Sequence, residues 1–552
     1  MEFDRSKTER RWNDMRNEGQ LWVPYWRDLK RWMNPMKGRF EGDLPQNVRK
    51  INHQLILNNC VLMALRIAAA GLHSGLTSPS RPWFRLMLGD PDLSEMGSIR
   101  TWLDLVEQRM FAVLAMSNMY KVFPAMYHEA LQFGTACSIA EEDYDSVIFG
   151  RTLTCGQYYL AVDGKGRVDS MARRFDMTTL AIVNTFGLEN CSPTIQKQYK
   201  DNNTGAWHYV YHMIEPNDDR IENRRDFKNK PFRSVYWDAT DGCDKVMMLG
   251  GYDDFPVLAP RWETSTTSDA YGTSPGWECM GDQKTLQKME RDGLIGLAKK
   301  IDPPTVSSGT AKAINTMPGG VNAANPTAPN DWGLKAAYQV DLDFGDLDNY
   351  IARTEKRIET AHYVDLFKML INVDQGPQMT AREVVEKHEE KMMNLGPVLE
   401  NLNQELHAPF IRRLYGVMFR GGLIPPPPPE MQSQTLKVQF ISILAQAQQM
   451  VASTSIQQSL GFIGSMAQLF PEAKYTVDAV ETAIEYMTSN GMPAKCIRSK
   501  DEIQQLIQQE QQQQQQAQQA QTAMAMAQGA KTLSDAKLDP NNALGAITGA
   551  PQ

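Results

Sequence analysis

The chain has 552 residues, 42% of them apolar and 22% charged, so it can bury a sizeable core and is neither wholly disordered nor collagen-like. Its length allows roughly three or four domains. The 57 Lys and Arg against 65 Asp and Glu leave a net charge of −8, which argues against a tight nucleic-acid binder held by phosphate neutralisation, though not against contact.

From Trp22 the apolar residues Trp22, Tyr25, Trp26, Leu29, Trp32 and Met33 follow the three-four spacing of an amphipathic helix, ended by Asn34 and Pro35. A helix packed on a core with a solvated basic face explains it better than a DNA-binding or membrane-surface helix. Helical patterns recur at Ile51 to Leu72, Ile99 to Met116 and Tyr120 to Phe133. Beyond Ala140 the character changes. Tyr158 to Val162 and Arg167 to Arg174 flank Asp163-Gly164-Lys165-Gly166, a hairpin signature, and Trp207 to Glu215 mixes apolar and polar residues at period two. Short strands are expected at Arg233 to Asp238, Lys245 to Leu249 and Phe255 to Leu258, an antiparallel region with no Rossmann-type or barrel alternation.

Asp282 to Ile301 is helical again and stops at Pro303-Pro304. A Gly-, Pro-, Ser-, Thr- and Asn-rich stretch leads to a helix from Asp346 to Leu370, and the short segment Asn372 to Gln378 follows. Thr380-Ala381-Arg382-Glu383 is a capping box that starts a long helix with a seam of Val385, His388, Met392, Leu395, Leu399, Leu402 and Leu406. Pro397 and Pro409 should bend it, and Gly421-Gly422 ends it. Pro425 to Pro429 reads as a stiff spacer, followed by Met- and Gln-rich helices at Gln434 to Ser453, Ser455 to Phe470 and Val477 to Asn490. The Gln tract from Ile503 to Gln521 fits equally a polar helix bundled with its copies and a disordered tail; the last residues, from about Thr532, read as disordered.

No catalytic motif is complete in the sequence. Glu141, Glu142, Asp143 and Asp145 could hold divalent metals for phosphoryl chemistry, but neighbours on a strand face opposite ways and no partner cluster is visible. His208 and His212 share a strand face without the glutamate of HExxH, and Gly71-Leu72-His73-Ser74-Gly75 lacks the central serine of a hydrolase elbow. No Walker A or G-x-G-x-x-G occurs, so any motor energy must come from a partner. No cofactor and no metal site is expected. The seven cysteines, Cys60, Cys137, Cys155, Cys191, Cys243, Cys279 and Cys496, are scattered and fit a reducing compartment. MEFDRSKTERRW lacks a signal core, and Asn58, Asn59 and Arg66 interrupt the apolar stretch Leu55 to Leu72, so neither export nor membrane insertion is expected.

The run GLHSGLTSPSRPWFRL (Gly71 to Leu86) resembles the glycine-proline-WF segment of the head-to-tail connector, or portal, proteins of short-tailed bacteriophages. In the same order follow GQYYLAVDGKGRVD (Gly156 to Asp169), Arg261-Trp262, YGTSPG (Tyr271 to Gly276), DQKTL (Asp282 to Leu286), MTAREV (Met379 to Val384) and LGPVLENLNQEL (Leu395 to Leu406). Each motif is weak and the set is specific; it spans about Arg10 to Leu423.

The resemblance implies an α+β, mostly helical subunit of a dodecameric ring at one capsid vertex of the virion, assembled in the host cytoplasm. Residues 1–281 would form a wing, 282–302 and 346–371 the stem helices, 303–345 a clip, 372–378 a tunnel loop and 379–422 a long wing helix. Residues 423–502 would form a crown and 503–552 a barrel or a disordered tail. Implied partners are double-stranded viral DNA bound without sequence preference, the terminase large subunit, head-tail adaptor and tail proteins, and the major capsid and scaffolding proteins; no membrane is involved. Within that layout Lys284, Lys288, Arg291 and Lys299 form a candidate DNA-facing edge of the first stem helix. Asn372, Val373, Asp374, Gln375, Gly376, Pro377 and Gln378 form the candidate tunnel loop, and Trp332 and Tyr338 the candidate clip anchors. Competing readings are a metal-dependent nuclease using the Glu141 to Asp145 acids and a non-viral oligomeric scaffold.

Overall fold

The computed structural model describes residues 4–41, 55–90, 97–221, 224, 226–239, 245–307, 334–336, 343–371, 395–431, 436–441 and 500–535, with scattered positions between 462 and 487. The chain divides into two compact units, 1–87 with 102–427 and 435–452, and 88–101 with 428–434 and 453–552. The fold is mixed α+β.

Helix α1 (Arg5–Gln20) opens with the Asp4 carboxylate accepting from the Lys7 N–H at 3.2 Å, and it buries Thr8, Trp12, Met15 and Gly19 along one stripe. Helix α2 (Val23–Trp32) occupies the amphipathic stretch and buries Val23, Trp26 and Leu29. Helix α3 (Cys60–Leu76) starts later than the pattern from Ile51 predicts, and 51–54 lie outside the described residues. Asn58 sets that start: its Oδ1 accepts from the Cys60 N–H at 2.8 Å, while its Nδ2 donates to Glu290 and Glu355 at 2.8 and 2.7 Å. After β1 (Phe84–Leu88) come α4 (Gly97–Met116) and α5 (Met119–Phe133), the latter ended by Gly134 at φ +82°.

The strands follow in chain order: β2 (Cys137–Asp143), β3 (Val147–Leu153), β4 (Tyr158–Val162), β5 (Val168–Thr178), β6 (Trp207–Pro216), β7 (Phe232–Asp238), β8 (Met248–Tyr252) and β9 (Val257–Leu258). Strands β4 to β8 form an antiparallel five-stranded meander, and β3, β2 and β9 a smaller sheet. At the β4–β5 turn the Asp163 Oδ1 accepts the N–H groups of Lys165 and Arg167 at 2.8 and 2.9 Å, and Gly166 takes φ +77°. Two readings shift: β8 begins at Met248, not Lys245, and β9 shrinks to two residues. The alternation of strand side chains gives the meander two faces. Tyr159, Ala172, Met213, Val235 and Trp237 meet Trp12 and Met15 of α1. On the opposite face Val210, Phe175 and Tyr236 meet Ile182, Phe186 and Ile195 of α6 (Thr179–Phe186) and α7 (Pro193–Lys200), helices that the patterning missed.

The short helix α8 (Pro275–Glu278) leads into α9 (Met280–Ile301), which packs against α10 (Phe344–Ala361) as a hairpin. At its far end β10 (Thr305–Ser307) pairs antiparallel with β11 (Leu334–Ala336). The expected single helix from Asp346 to Leu370 is two helices: α10 ends before His362, Tyr363 takes φ +56°, and α11 (Val364–Ile371) packs on α3. The capping box Thr380 to Glu383, the seam residues Val385, His388 and Met392, and the loop Asn372 to Gln378 lie outside the described residues. The later part of that helix is described: α12 (395–402), a π-helical turn Asn403–His407, and α13 (Ala408–Arg420). The wide turn precedes Pro409, whose ring removes an N–H from the ladder. Beyond it, Leu436–Phe440 forms β12 paired with β1, so the helix expected from Gln434 is corrected there. Leu436, Val438 and Phe440 stand at period two, and an available edge at β1 overrides a weak helical propensity. In the second unit the Gln tract lies in α14 (Lys500–Asp535), mostly polar and without a continuous apolar face, with Leu506, Ile507, Met524 and Met526 exposed. This helix includes Thr532 to Asp535, against the expectation of disorder from about Thr532.

Candidate functional site

The α9–α10 hairpin joins the body in part through neutral amides. Gln283 Nε2 donates to the Trp32 carbonyl at 2.8 Å. Gln287 Oε1 accepts from the N–H groups of Leu57 and Asn58 at 2.6 and 3.0 Å, and its Nε2 returns a bond to the Asn58 carbonyl at 2.8 Å. Both glutamines are buried; Gln287 has both amide atoms paired, whereas Gln283 pairs through Nε2 and leaves its Oε1 without a partner. Arg357 of α10 reaches Asp282 of α9 at 2.7 Å, and Lys284 reaches Asp28 of α2 at 2.9 Å.

Farther out the hairpin loses its cover. Leu294, Ile295, Leu297 and Ile301 of α9 and Tyr350 of α10 are exposed, Ile301 at 75%. Isolated exposed aliphatics are ordinary, but Leu294, Leu297 and Ile301 recur at three-four spacing and form an uncovered strip along one face. The predicted basic edge lies on the same helix. Lys284 is engaged with Asp28 near the base, and Lys288, Arg291 and Lys299 are exposed. Trp332 and Tyr338 lie outside the described residues.

Several of the motifs that carry the resemblance, among them Arg261-Trp262, YGTSPG and LGPVLENLNQEL, meet in a buried knot centred on Arg261, which is 5% exposed. Its guanidinium pairs with the Glu405 carboxylate through Nε at 3.0 Å and through Nη2, and the Arg261 N–H donates to the same carboxylate at 2.8 Å. The remaining donors reach the Asp269 carbonyl at 2.6 Å and the Gly166 carbonyl at 2.8 Å. One side chain thus ties the β4–β5 turn, the segment before α8 and the π-helical turn together. The Leu160 N–H donates to the Tyr271 hydroxyl at 3.0 Å, the Gly272 N–H donates to Thr135 at 2.8 Å, and Ser274 donates to the Gln132 carbonyl at 2.9 Å. Gly272 has to be glycine, because a Cβ there would lie 2.7 Å from the Gly134 carbonyl oxygen. Trp83 and Phe84 are buried, and Trp83 packs edge-on against Phe123 and His407. None of these contacts was visible in sequence, where Arg261 and Glu405 are 144 residues apart.

The acids of the competing enzyme reading are engaged separately. Glu141 pairs with Arg151 at 3.1 Å, Glu142 with Arg420 at 2.9 Å, and Asp143 accepts from Ser146 at 2.7 Å. Among the described residues no three His, Cys, Asp or Glu side chains are placed to share a metal ion. His212 is buried between Arg173 and Ser234, and His208 meets Thr179 at 3.0 Å. Among the described residues no helix is long and apolar enough to cross a membrane.

The family model for the bacteriophage head to tail connecting protein matches residues 5–497. The probable portal protein of Bordetella phage BPP-1 is 38% identical over 489 residues, 88% of this chain and 87% of that one. The portal protein of Salmonella phage epsilon15 is 36% identical over 545 residues, 98% and 97% of the two chains. Among solved structures, a chain in the neck of an empty gene transfer agent particle aligns over 82% of this chain and 97% of its own, at 13% identity and a TM-score of 0.36. The chain therefore belongs to the bacteriophage head-to-tail connecting family, the portal proteins.

Proposed function

We propose that the chain is the repeating subunit of a closed ring, of twelve copies, set at one vertex of a phage capsid as the conduit for double-stranded DNA during packaging and ejection. Membership of the portal family carries this reading. The uncovered strip on α9 supports it, because a ring of identical chains needs two different surfaces that meet by rotation, and a protruding hairpin with an apolar flank offers one. The chain would act as a structural part and not as a catalyst, with force supplied by a terminase docked on the segment 303–345. Head-tail adaptor and tail proteins would take that place later, and capsid and scaffolding proteins would hold the wing. The residues 372–378 would constrict the tunnel, and Trp332 and Tyr338 would anchor the docked partner.

Lys288 and Arg291 would face the DNA, with Lys284 and Lys299 at the two ends of the same edge. An acidic chain with a few exposed bases suits a conduit, which should touch phosphates without gripping them. Native mass spectrometry and negative-stain imaging of the purified chain should show twelve-membered rings with a central hole; a stable monomer at micromolar concentration would refute the reading. Lys288→Glu with Arg291→Glu should leave rings intact and lower DNA packaging in an infection assay. Normal packaging would remove these two residues from the channel.

A further inference from the structure

The face of the meander turned away from α1 is covered by α6 and α7 at one end and open at the other, where it floors a cleft of about 710 Å³. The smaller sheet contributes Glu141, Glu142 and Arg151 to the walls, and Phe175, Phe227, Met248 and Tyr252 make much of the rest apolar. In volume and lining this is the build of a small-ligand pocket.

Arg173 lies in its floor, only 4% exposed. Its Nε donates to His212 Nδ1 at 2.9 Å, its Nη2 reaches the Tyr236 hydroxyl at 3.4 Å, and the guanidinium lies 4.5 Å above the Phe175 ring. His212 stacks on Tyr236 at 3.7 Å and its Nε2 meets Ser234 at 2.9 Å. Since Nδ1 accepts, the ring carries its proton on Nε2 and is neutral, so this network orients the arginine without balancing its charge. No carboxylate among the described residues lies within ion-pairing distance of Arg173. The acids on the walls are already matched: Glu141 by Arg151, Glu142 by Arg420, and Asp253 by Lys230 and Arg420. What remains is one buried cation, held rigidly and without a counter-ion, a state with a large desolvation cost unless an anion arrives from outside.

We propose that this cleft binds a carboxylate carried on an aromatic or apolar body, the carboxylate pairing with the Nη edge of Arg173 and the body lying among Phe175, Phe227 and Tyr252. A single uncommitted cation beside Glu141 and Glu142 matches a monoanion and disfavours a phosphate dianion. The proposal is independent of the ring reading, because every residue in it belongs to one chain.

Phenylacetate and phenylacetamide, alike in shape and different in charge, are the probes, titrated into the assembled full-length protein by calorimetry. Phenylacetate should bind at least ten-fold more tightly than the amide, inorganic phosphate should compete poorly, and Arg173→Met should abolish the preference. Since Arg173 is buried, Gly250→Asp gives a second reading: Gly250 lines the cleft and an added Cβ would meet only the Met248 Cε, at 3.9 Å. That variant should melt as the wild type does and bind phenylacetate at least ten-fold more weakly. Equal binding of acid and amide, no binding of either, phosphate binding more tightly than phenylacetate, or a Gly250→Asp protein with unaltered affinity would each overturn the proposal.

Discussion

His407 shows what a single buried side chain commits the protein to. Its Nδ1 faces Asn403 Oδ1 and its Nε2 the Tyr127 hydroxyl, both at 2.8 Å, with Trp83, Phe123 and Phe440 around the ring. Burial pulls its pKa down to about 3, and burial brings His128 and His362 down to about 4. An unfolded histidine titrates near ~6.5, so below that pH the unfolded chain binds protons that the folded chain refuses. Stability is therefore complete above pH ~6.5 and falls as the pH drops toward the folded-state values, on the order of 2 kcal/mol per histidine by pH ~5. The melting temperature should be flat from about pH 7 to 8 and decline from about pH 6.5 to 5, before most carboxylates titrate. His407→Gln should melt lower at neutral pH and lose part of that slope; an unchanged slope would show that His407 does not contribute. Arg261 makes a second commitment at this scale. Breaking a buried, bidentate ion pair typically costs about 3–5 kcal/mol, and partial exposure of Glu405 puts Arg261→Ala at the lower end. Denaturant titration of the variant would check it.

At the scale of elements, the joint between α3 and α11 depends on Gly71, where a Cβ would lie 2.2 Å from the Phe367 ring. Gly71→Val should destabilise by about 1–3 kcal/mol through overpacking, and Gly71→Val with Phe367→Ala should recover part of the loss; thermal melting of the pair checks it. Local chemistry made many elements legible. The β4–β5 hairpin announced itself through Asp163, Gly164 and Gly166, and α2 and α9 through their spacing and their stops. What stayed hidden depends on distant partners. Strand β12 exists because β1 offers it an edge, and α6 and α7 are too short for periodicity to register. Tyr363 breaks α10 from α11 although its residue type disfavours positive φ. The candidate sites divide in the same way: a run of bases on one helix can be read from spacing, whereas Arg173 is one arginine in a strand, and only the folded sheet shows that among the described residues no acid pairs with it.

For the whole molecule, the uncovered strip sets the expected mode of assembly. Leu294→Glu with Leu297→Glu places charge on a surface already facing water in the single chain, so the subunit should keep its melting temperature while losing ring formation in sedimentation velocity. Intact rings would show that another surface closes the assembly. The base of the same hairpin has a different character. The ion pairs Lys284–Asp28 and Arg357–Asp282 are partly exposed, and mobile counter-ions weaken such pairs as ionic strength rises, with a screening length of roughly 8 Å at physiological salt. Gln283 and Gln287 carry no charge and are buried, so the same ions leave their bonds untouched. The amide contacts at the hairpin base should therefore hold from dilute buffer to molar salt, while the ion pairs beside them weaken.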